Sequence, residues 1–311
     1  MSEHFADRLA AAVERAGSPV CVGLDPVLEK LPGELRSDAG ASKSAADFDG
    51  TGRGTRAIGR FCEGVIDAVA GVVPAVKLQS ACFERYGGSG VDLLRALVQR
   101  VRAAGMVAIL DAKRGDIGIS AEHYAAAAFG PDGASGADAV TLSGYMGPDT
   151  MEPFLTDPSR GVFVLVRTSN PGSDVIQSQR LADGRTVAEL VADQVAVLGQ
   201  SRVGACGLSS VGAVVGATKP EDGPMLRARM PDQVFLVPGY GAQGGSAADI
   251  RGMLRMAASS GSTTGERAAR AGVLVTASRS IIYPTGGEAD WRGAIGAAAR
   301  RMAAEIGAIV G

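Results

Sequence analysis

Histidine is nearly missing from these 311 residues: only His4 and His123 occur. A site built from several histidines on a metal is therefore excluded, and a Ser-His-Asp hydrolase would have only these two candidates. Acid–base chemistry must fall to carboxylates and lysines. Cysteine is sparse too. Cys21, Cys62, Cys82 and Cys206 form no CxxC pair, which argues against a disulfide scaffold or a structural zinc site and favours small buried hydrophobes. There is no basic excess: the formal net charge is -2, so no nucleic-acid partner is expected. Long apolar runs are lacking as well. The longest uncharged stretch, between Arg202 and Lys219, is rich in Gly and Ser and shorter than the ~18–20 residues needed to cross a bilayer. The N-terminal stretch MSEHFADRLAAAVERAG is charged throughout and has no signal-peptide core. Phe5, Leu9 and Val13 recur every fourth residue, the pattern of an amphipathic surface helix. A cytoplasmic protein with no membrane partner is expected.

What is present is a large apolar complement, 46% of the chain, and 44 glycines, which suit many strand-to-helix corners. Eight short runs of Val, Ile, Leu and Ala stand out: Pro19–Pro26, Pro74–Gln79, Met106–Arg114, Asp138–Tyr145, Gly161–Asn170, Val211–Pro220, Val234–Gly245 and Ala271–Ser280. Their apolar character is continuous rather than alternating, as in parallel strands buried on both faces. Helix-period stretches separate most of them. Ser89/Asp92 and Thr186/Glu189 have capping-box spacing, Ser246 is placed to cap another helix, and Trp291 opens a closing one. Eight strands alternating with helices predict an α/β fold, a single-domain (β/α)8 TIM barrel over residues 1–311, with a doubly wound sheet as the alternative. Residues 37–56 and 259–267 exceed a minimal barrel and are read as surface insertions.

The strand ends carry the polar residues: Asp25; Lys77 and Gln79; Asp111, Lys113 and Asp116; Thr168 and Ser169; Gln243; Arg279. In this fold, catalytic groups belong at those C-terminal ends, where a charge is expensive unless paired or in use. In LDAKRGDIG, Asp111 and Lys113 are two apart. On a strand they would enter the barrel mouth side by side, with Arg114 pointing away. A lysine flanked by carboxylates is held protonated, which suits a cation that stabilises negative charge or donates a proton. The alternative for such residues is a set of buried ion pairs without chemistry. A second constellation, PGYGAQGG after the seventh strand with Arg279 after the eighth, sits where barrels of this type grip phosphate, with the helix near Ser246 offering its positive end. The motif taken alone is equally a tight turn.

LDAKRGDIG with Ser120, the GLDP of the first strand, KLQSACFERYG, VRTSNPGS, PGYGAQGG and TASRSIIY together resemble orotidine 5′-phosphate decarboxylase, most closely its longer-chain bacterial branch. The resemblance runs from Gly23 to Tyr283 and implies conversion of orotidine 5′-monophosphate to UMP and CO2 in de novo pyrimidine synthesis. It implies no metal or organic cofactor, a (β/α)8 barrel and a homodimer with shared active sites. Carried over, Lys113 is the proton donor to C6 and Asp111 lies near the scissile carboxylate. Lys77 and Asp116 complete an alternating charge array, Asp116 reaching the partner subunit's site with Ile117 and Ser120. Asp25 and Lys77 hold the ribose hydroxyls, Gln79 accompanies Lys77 at the substrate, and Thr168 and Ser169 meet the pyrimidine. Pro238, Gly239, Gly241, Gln243 and Arg279 hold the phosphate. Leu78 and Gly144 stand where this branch often has Pro. A metal-dependent sugar-phosphate decarboxylase on the same barrel and a non-catalytic UMP-binding barrel are the competing readings.

Overall fold

The protein is described by a computed structural model covering residues 3–38, 52–130, 135–219, 221–241, 244–255, 264–284 and 289–311. Eight parallel strands pair in chain order and close into a barrel. They are β1 (Val20–Leu24), β2 (Ala75–Gln79), β3 (Val107–Arg114), β4 (Ala139–Ser143), β5 (Gly161–Arg167), β6 (Val211–Val215), β7 (Phe235–Val237) and β8 (Val273–Ala277). Each falls inside one of the eight apolar runs, and the doubly wound alternative is excluded by the β1–β8 pairing. β7 is short because Pro238 has no N–H for the ladder.

Helices over Arg53–Val69, Gly87–Ala103, Gly118–Phe129, Val187–Gly199 and Trp291–Val310 surround the barrel. Of the stretch read as an insertion over 37–56, residues 53–56 open the first of these helices and 39–51 lie outside the described residues. Of 259–267, residues 264–267 open the helix Thr264–Arg270 and the rest lie outside.

The Thr186/Glu189 capping box forms, with Thr186 N–H donating to Glu189 at 2.7 Å. Ser246 and Asp249 form another. Ser89/Asp92 does not. The helix there begins two residues earlier at Gly87, whose φ of 62° makes the turn. Ser89 Oγ donates to Tyr86 O at 3.1 Å, and Asp92 pairs with Arg95. Gly90 rests on the Phe83 carbonyl, where a Cβ would come within 2.0 Å.

The N-terminal end of the barrel is plugged for stability. The helix Phe5–Ala16 buries Phe5, Leu9 and Val13, with Phe5 edge-on to Phe163 at 6.3 Å. Beneath it the buried carboxylate of Asp138 accepts from Arg8 and from the Ala108 N–H, both at 2.9 Å. All four cysteines are free, with Cys21 and Cys62 buried and Cys82 and Cys206 half-buried. No helix among the described residues is long and apolar enough to cross a membrane.

Candidate active site

At the opposite end lies a cavity of about 560 Å3. Its floor is the last inward-facing layer of the barrel: Lys77, Asp111, Thr141, Leu165, Val214, Leu236 and Thr276, one from each of β2 to β8. The floor is charged and polar from β2 to β4 and apolar from β5 to β7. A charged group and a flat apolar ring can thus be held side by side.

The charged half is built around Asp111, which is 5% exposed. One of its oxygens accepts from Lys77 Nζ at 2.5 Å and Gln79 Nε2 at 3.3 Å; the other accepts from Lys113 Nζ at 2.7 Å and Thr141 Oγ1 at 2.9 Å. Burial alone would raise its pKa, but Lys77 and Lys113 outweigh that and bring it down to about 2. Lys77 is pulled the same way. Burial opposes its charge, but Asp111 and then Asp25 hold its pKa above the usual lysine value. Asp25 closes the row, and its buried Oδ1 has no hydrogen-bond partner among the described residues, so an acceptor is left for a ligand hydroxyl. The result is an alternating row of carboxylate, ammonium, carboxylate and ammonium along β1, β2 and β3.

Lys113 arrives in this row by a route that side-chain alternation does not describe. Its φ of 47° is the only positive value at a non-glycine among the described residues. The β3–β4 register breaks between Leu110 and Arg114. This bulge costs on the order of 1 kcal/mol, and the Lys113 N–H recovers a partner in Thr141 Oγ1 at 2.9 Å. Arg114 does point away, bonding Glu84 at 2.5 Å and lying over the Tyr124 ring.

On the far wall Pro238, Gly239, Ser278 and Arg279 line the cavity. Gly239 takes a φ of 97° that only glycine adopts at low cost. Arg279 is exposed and makes no ion pair among the described residues. A guanidinium and a glycine-lined turn on one wall suit an anion such as phosphate. Gly241 is placed differently from expectation. Its N–H already donates to Gly245 O at 2.9 Å, so it closes the loop instead of facing the cavity. The helix start at Ser246 is likewise consumed by its own capping box. Gln243 lies outside the described residues.

The third wall follows β5 and brings Thr168, Ser169, Asn170 and Gln177 to the cavity. Gln79 touches Asp111 from the side without lining the cavity. Asp116, Ile117 and Ser120 lie off it too: Asp116 accepts from the Ile117 N–H at 2.9 Å, and Ile117 is 63% exposed. Sequence reasoning missed Thr141 and Gln177. A hydroxyl set between Val140 and Leu142 inside the buried strand β4 was a signal for the first; nothing local marks the second.

The chain's likenesses fit this geometry. It is 42% identical to an orotidine 5′-phosphate decarboxylase of Rhodopirellula baltica, over 96% of this chain and 97% of that one. It is 41% identical to one of Verminephrobacter eiseniae, over 97% of each. Among solved structures, the Leishmania donovani OMP decarboxylase superposes with a TM-score of 0.72 at 32% identity, covering 98% of both chains. Residues 18–282 match the family described as orotidine 5′-phosphate decarboxylase / HUMPS, and the chain belongs to that family.

Proposed function

We propose that this protein decarboxylates orotidine 5′-monophosphate to UMP and CO2. The carrying observation is the Lys77–Asp111–Lys113 row, whose charges are locked by contacts of 2.5 and 2.7 Å, facing a guanidinium across a cavity of nucleotide size. With the phosphate at Arg279 and the Gly239 turn, and the ribose at Asp25 and Lys77, the pyrimidine C6 carboxylate comes to Asp111 and Lys113. The C6–carboxylate bond breaks, CO2 leaves, and the electron pair stays on C6. The Lys113 ammonium stabilises that charge as it develops, then gives its proton to C6 and is reprotonated from solvent. Asp111 keeps Lys113 in place and repels the substrate carboxylate more than the carbanion that follows it. The relatives named above, called orotidine 5′-phosphate decarboxylases, support this chemistry over sugar-phosphate chemistry within the same family.

The working form is a homodimer in the cytoplasm. Ile117, Ile119, Tyr145, Met146, Val175 and Ile176 are exposed around the same rim of the barrel, and a second copy would cover them. Asp116, with Ile117 and Ser120, would then reach the partner's substrate.

The test is the loss of orotidine 5′-monophosphate absorbance with purified protein in EDTA, beside Lys113→Ala. Turnover in the wild type and none in the variant is expected. Tight UMP binding without turnover would leave a nucleotide-binding barrel. Turnover only after magnesium is restored would favour the sugar-phosphate branch.

A further inference from the structure

The loops after β1 and β8 are joined by one side chain, Tyr283, that does not line the cavity. Asp25, at the end of β1, has a buried Oδ1 with no hydrogen-bond partner among the described residues, so its aim rests on the backbone that carries it. Pro26, the next residue, has no N–H to anchor that backbone. The first donor after Asp25 is the Val27 N–H. Its partner is 256 residues away in the chain: the Tyr283 hydroxyl, at 2.7 Å. The Val27 carbonyl is used locally, accepting from the Lys30 N–H at 2.9 Å. Tyr283 is itself firmly held. Its ring lies parallel to Phe61, with centroids 5.5 Å apart and an angle of 6°, and Phe61 in turn packs on Trp291. The Tyr283 N–H donates to Arg279 O at 3.1 Å, so Tyr283 closes the short helix Arg279–Ile282 that Arg279 opens. Burial pushes the phenol up from the ordinary tyrosine range, against the pull of the Val27 N–H, so the hydroxyl meets Val27 un-ionised.

We infer that Tyr283 is a positioning residue: its hydroxyl fixes the loop after β1 so that Asp25 meets the ribose, and it does so from the same short helix that presents Arg279 to the phosphate. This rests on the decarboxylase reading above. The two subsites then share one support, although Asp25 and Arg279 lie near opposite ends of the chain. A nucleotide held at Arg279 finds the Asp25 carboxylate at a set distance, and selection of the sugar depends on a hydroxyl that no substrate atom touches. Discrimination by such a site is strong only while the buried acceptor is locked in place, because a sugar lacking the hydroxyl then leaves it unpaired. A loop free to shift would let Asp25 turn to water and lose that penalty.

The experiment measures dissociation constants for UMP and its 2′-deoxy and 3′-deoxy analogues, with inhibition by inorganic phosphate as a check on the Arg279 wall and orotidine 5′-monophosphate turnover as a check on the reaction. Asp25→Asn shows which hydroxyl the carboxylate reads. The wild type should prefer UMP over that analogue by roughly tenfold or more, and Asp25→Asn should lose most of the preference. Tyr283→Phe keeps the ring on Phe61 and removes only the acceptor. It should narrow the same preference by about threefold or more, leave phosphate inhibition as it was, and add nothing further in an Asp25→Asn background. The Val27 amide should exchange with solvent about fivefold or more faster in Tyr283→Phe, with the amides of β1 still protected. An unchanged preference in Tyr283→Phe, or an unchanged Val27 exchange rate, with turnover normal in the wild type, would overturn this inference alone. Equal weakening of UMP, both analogues and phosphate would make the tyrosine purely structural and overturn it as well. If Asp25→Asn alters neither preference, the ribose placement fails and the inference with it. A wild type that neither turns over orotidine 5′-monophosphate nor binds UMP would overturn the decarboxylase reading itself.

Discussion

Lys77 and Asp111 meet at 2.5 Å across neighbouring strands, both almost wholly buried. Each is the condition for the other's charge. Asp111→Asn would leave Lys77 with only Asp25 as countercharge, and Lys77→Met would leave the buried carboxylate with Lys113 alone. Each single change should destabilise the fold by about 3 kcal/mol, and the pair Lys77→Met/Asp111→Asn by less than the sum. Chemical denaturation of the four proteins of this cycle checks it. Additive losses would mean that the contact carries no coupling. Asp111→Asn should also lower kcat by roughly a hundredfold or more, since it loosens the ammonium that meets the carbanion.

Acid should dissolve this contact late. Asp111 ionises in the folded protein near pH 2, below its ordinary value, so its stabilisation is complete above the ordinary aspartate range and is lost as pH falls toward about 2. That linkage is worth on the order of 2 kcal/mol. The stability gap between wild type and Asp111→Asn should stay level from about pH 5 to 8 and shrink below about pH 4. A gap that closes already at neutral pH would contradict the sign of the shift.

Arg279→Ala should act on binding rather than chemistry. The guanidinium has no carboxylate partner among the described residues, so its removal leaves no stranded charge. KM for orotidine 5′-monophosphate should rise by roughly tenfold or more, while the affinity for orotidine, which lacks the phosphate, should hardly move. Steady-state kinetics with the nucleotide and competition with the nucleoside separate the two. Equal weakening of both would place Arg279 elsewhere.

Gly23→Ala tests how tightly the cavity rim is packed. A Cβ there would stand 1.9 Å from Ser278 Oγ. A loss of about 1–3 kcal/mol is expected, largely restored in Gly23→Ala/Ser278→Gly. Thermal melts of both variants decide; a neutral single substitution would mean that the β1–β8 junction relaxes freely.

A charge on the exposed rim should split a dimer. Ile119 is 69% exposed, so Ile119→Asp should leave the monomer folded while shifting sedimentation toward the monomer and making activity fall on dilution. Unchanged sedimentation would remove this rim as the interface.

All eight strands were legible because parallel strands buried on both faces must be apolar throughout, and no other part of the chain has that texture. Asp25, Lys77, Asp111, Lys113 and Arg279 were legible because charges at the ends of such runs need a reason. What stayed hidden depends on contacts between segments distant in sequence. Side-chain alternation paired Lys113 with Asp111 correctly, yet the contact runs through a bulge set by the register with β4. The Ser89/Asp92 spacing suggested a cap, but the turn at Gly87 starts the helix too early for it to form. Glycines at 239 and 241 look alike in sequence, and only the loop's own hydrogen bonds show that Gly241 is occupied. Gln177 joins the site through a loop nine residues from Thr168, with nothing periodic to announce it.

The closed ring also sets a mechanical tolerance for the charge row. Lys77 stands opposite Ile109, and Gln79 opposite Asp111, in the β2–β3 ladder. A one-residue slip of β2 would turn Leu78 inward and send Lys77 into the helix layer, away from Asp111. In an open sheet an outer strand can slide alone. Here every strand has two bonded neighbours, so no strand can creep without unzipping on both sides. Alignment of the ammonium and carboxylate groups is therefore inherited from the hoop as a whole, and wear at one surface loop need not detune it.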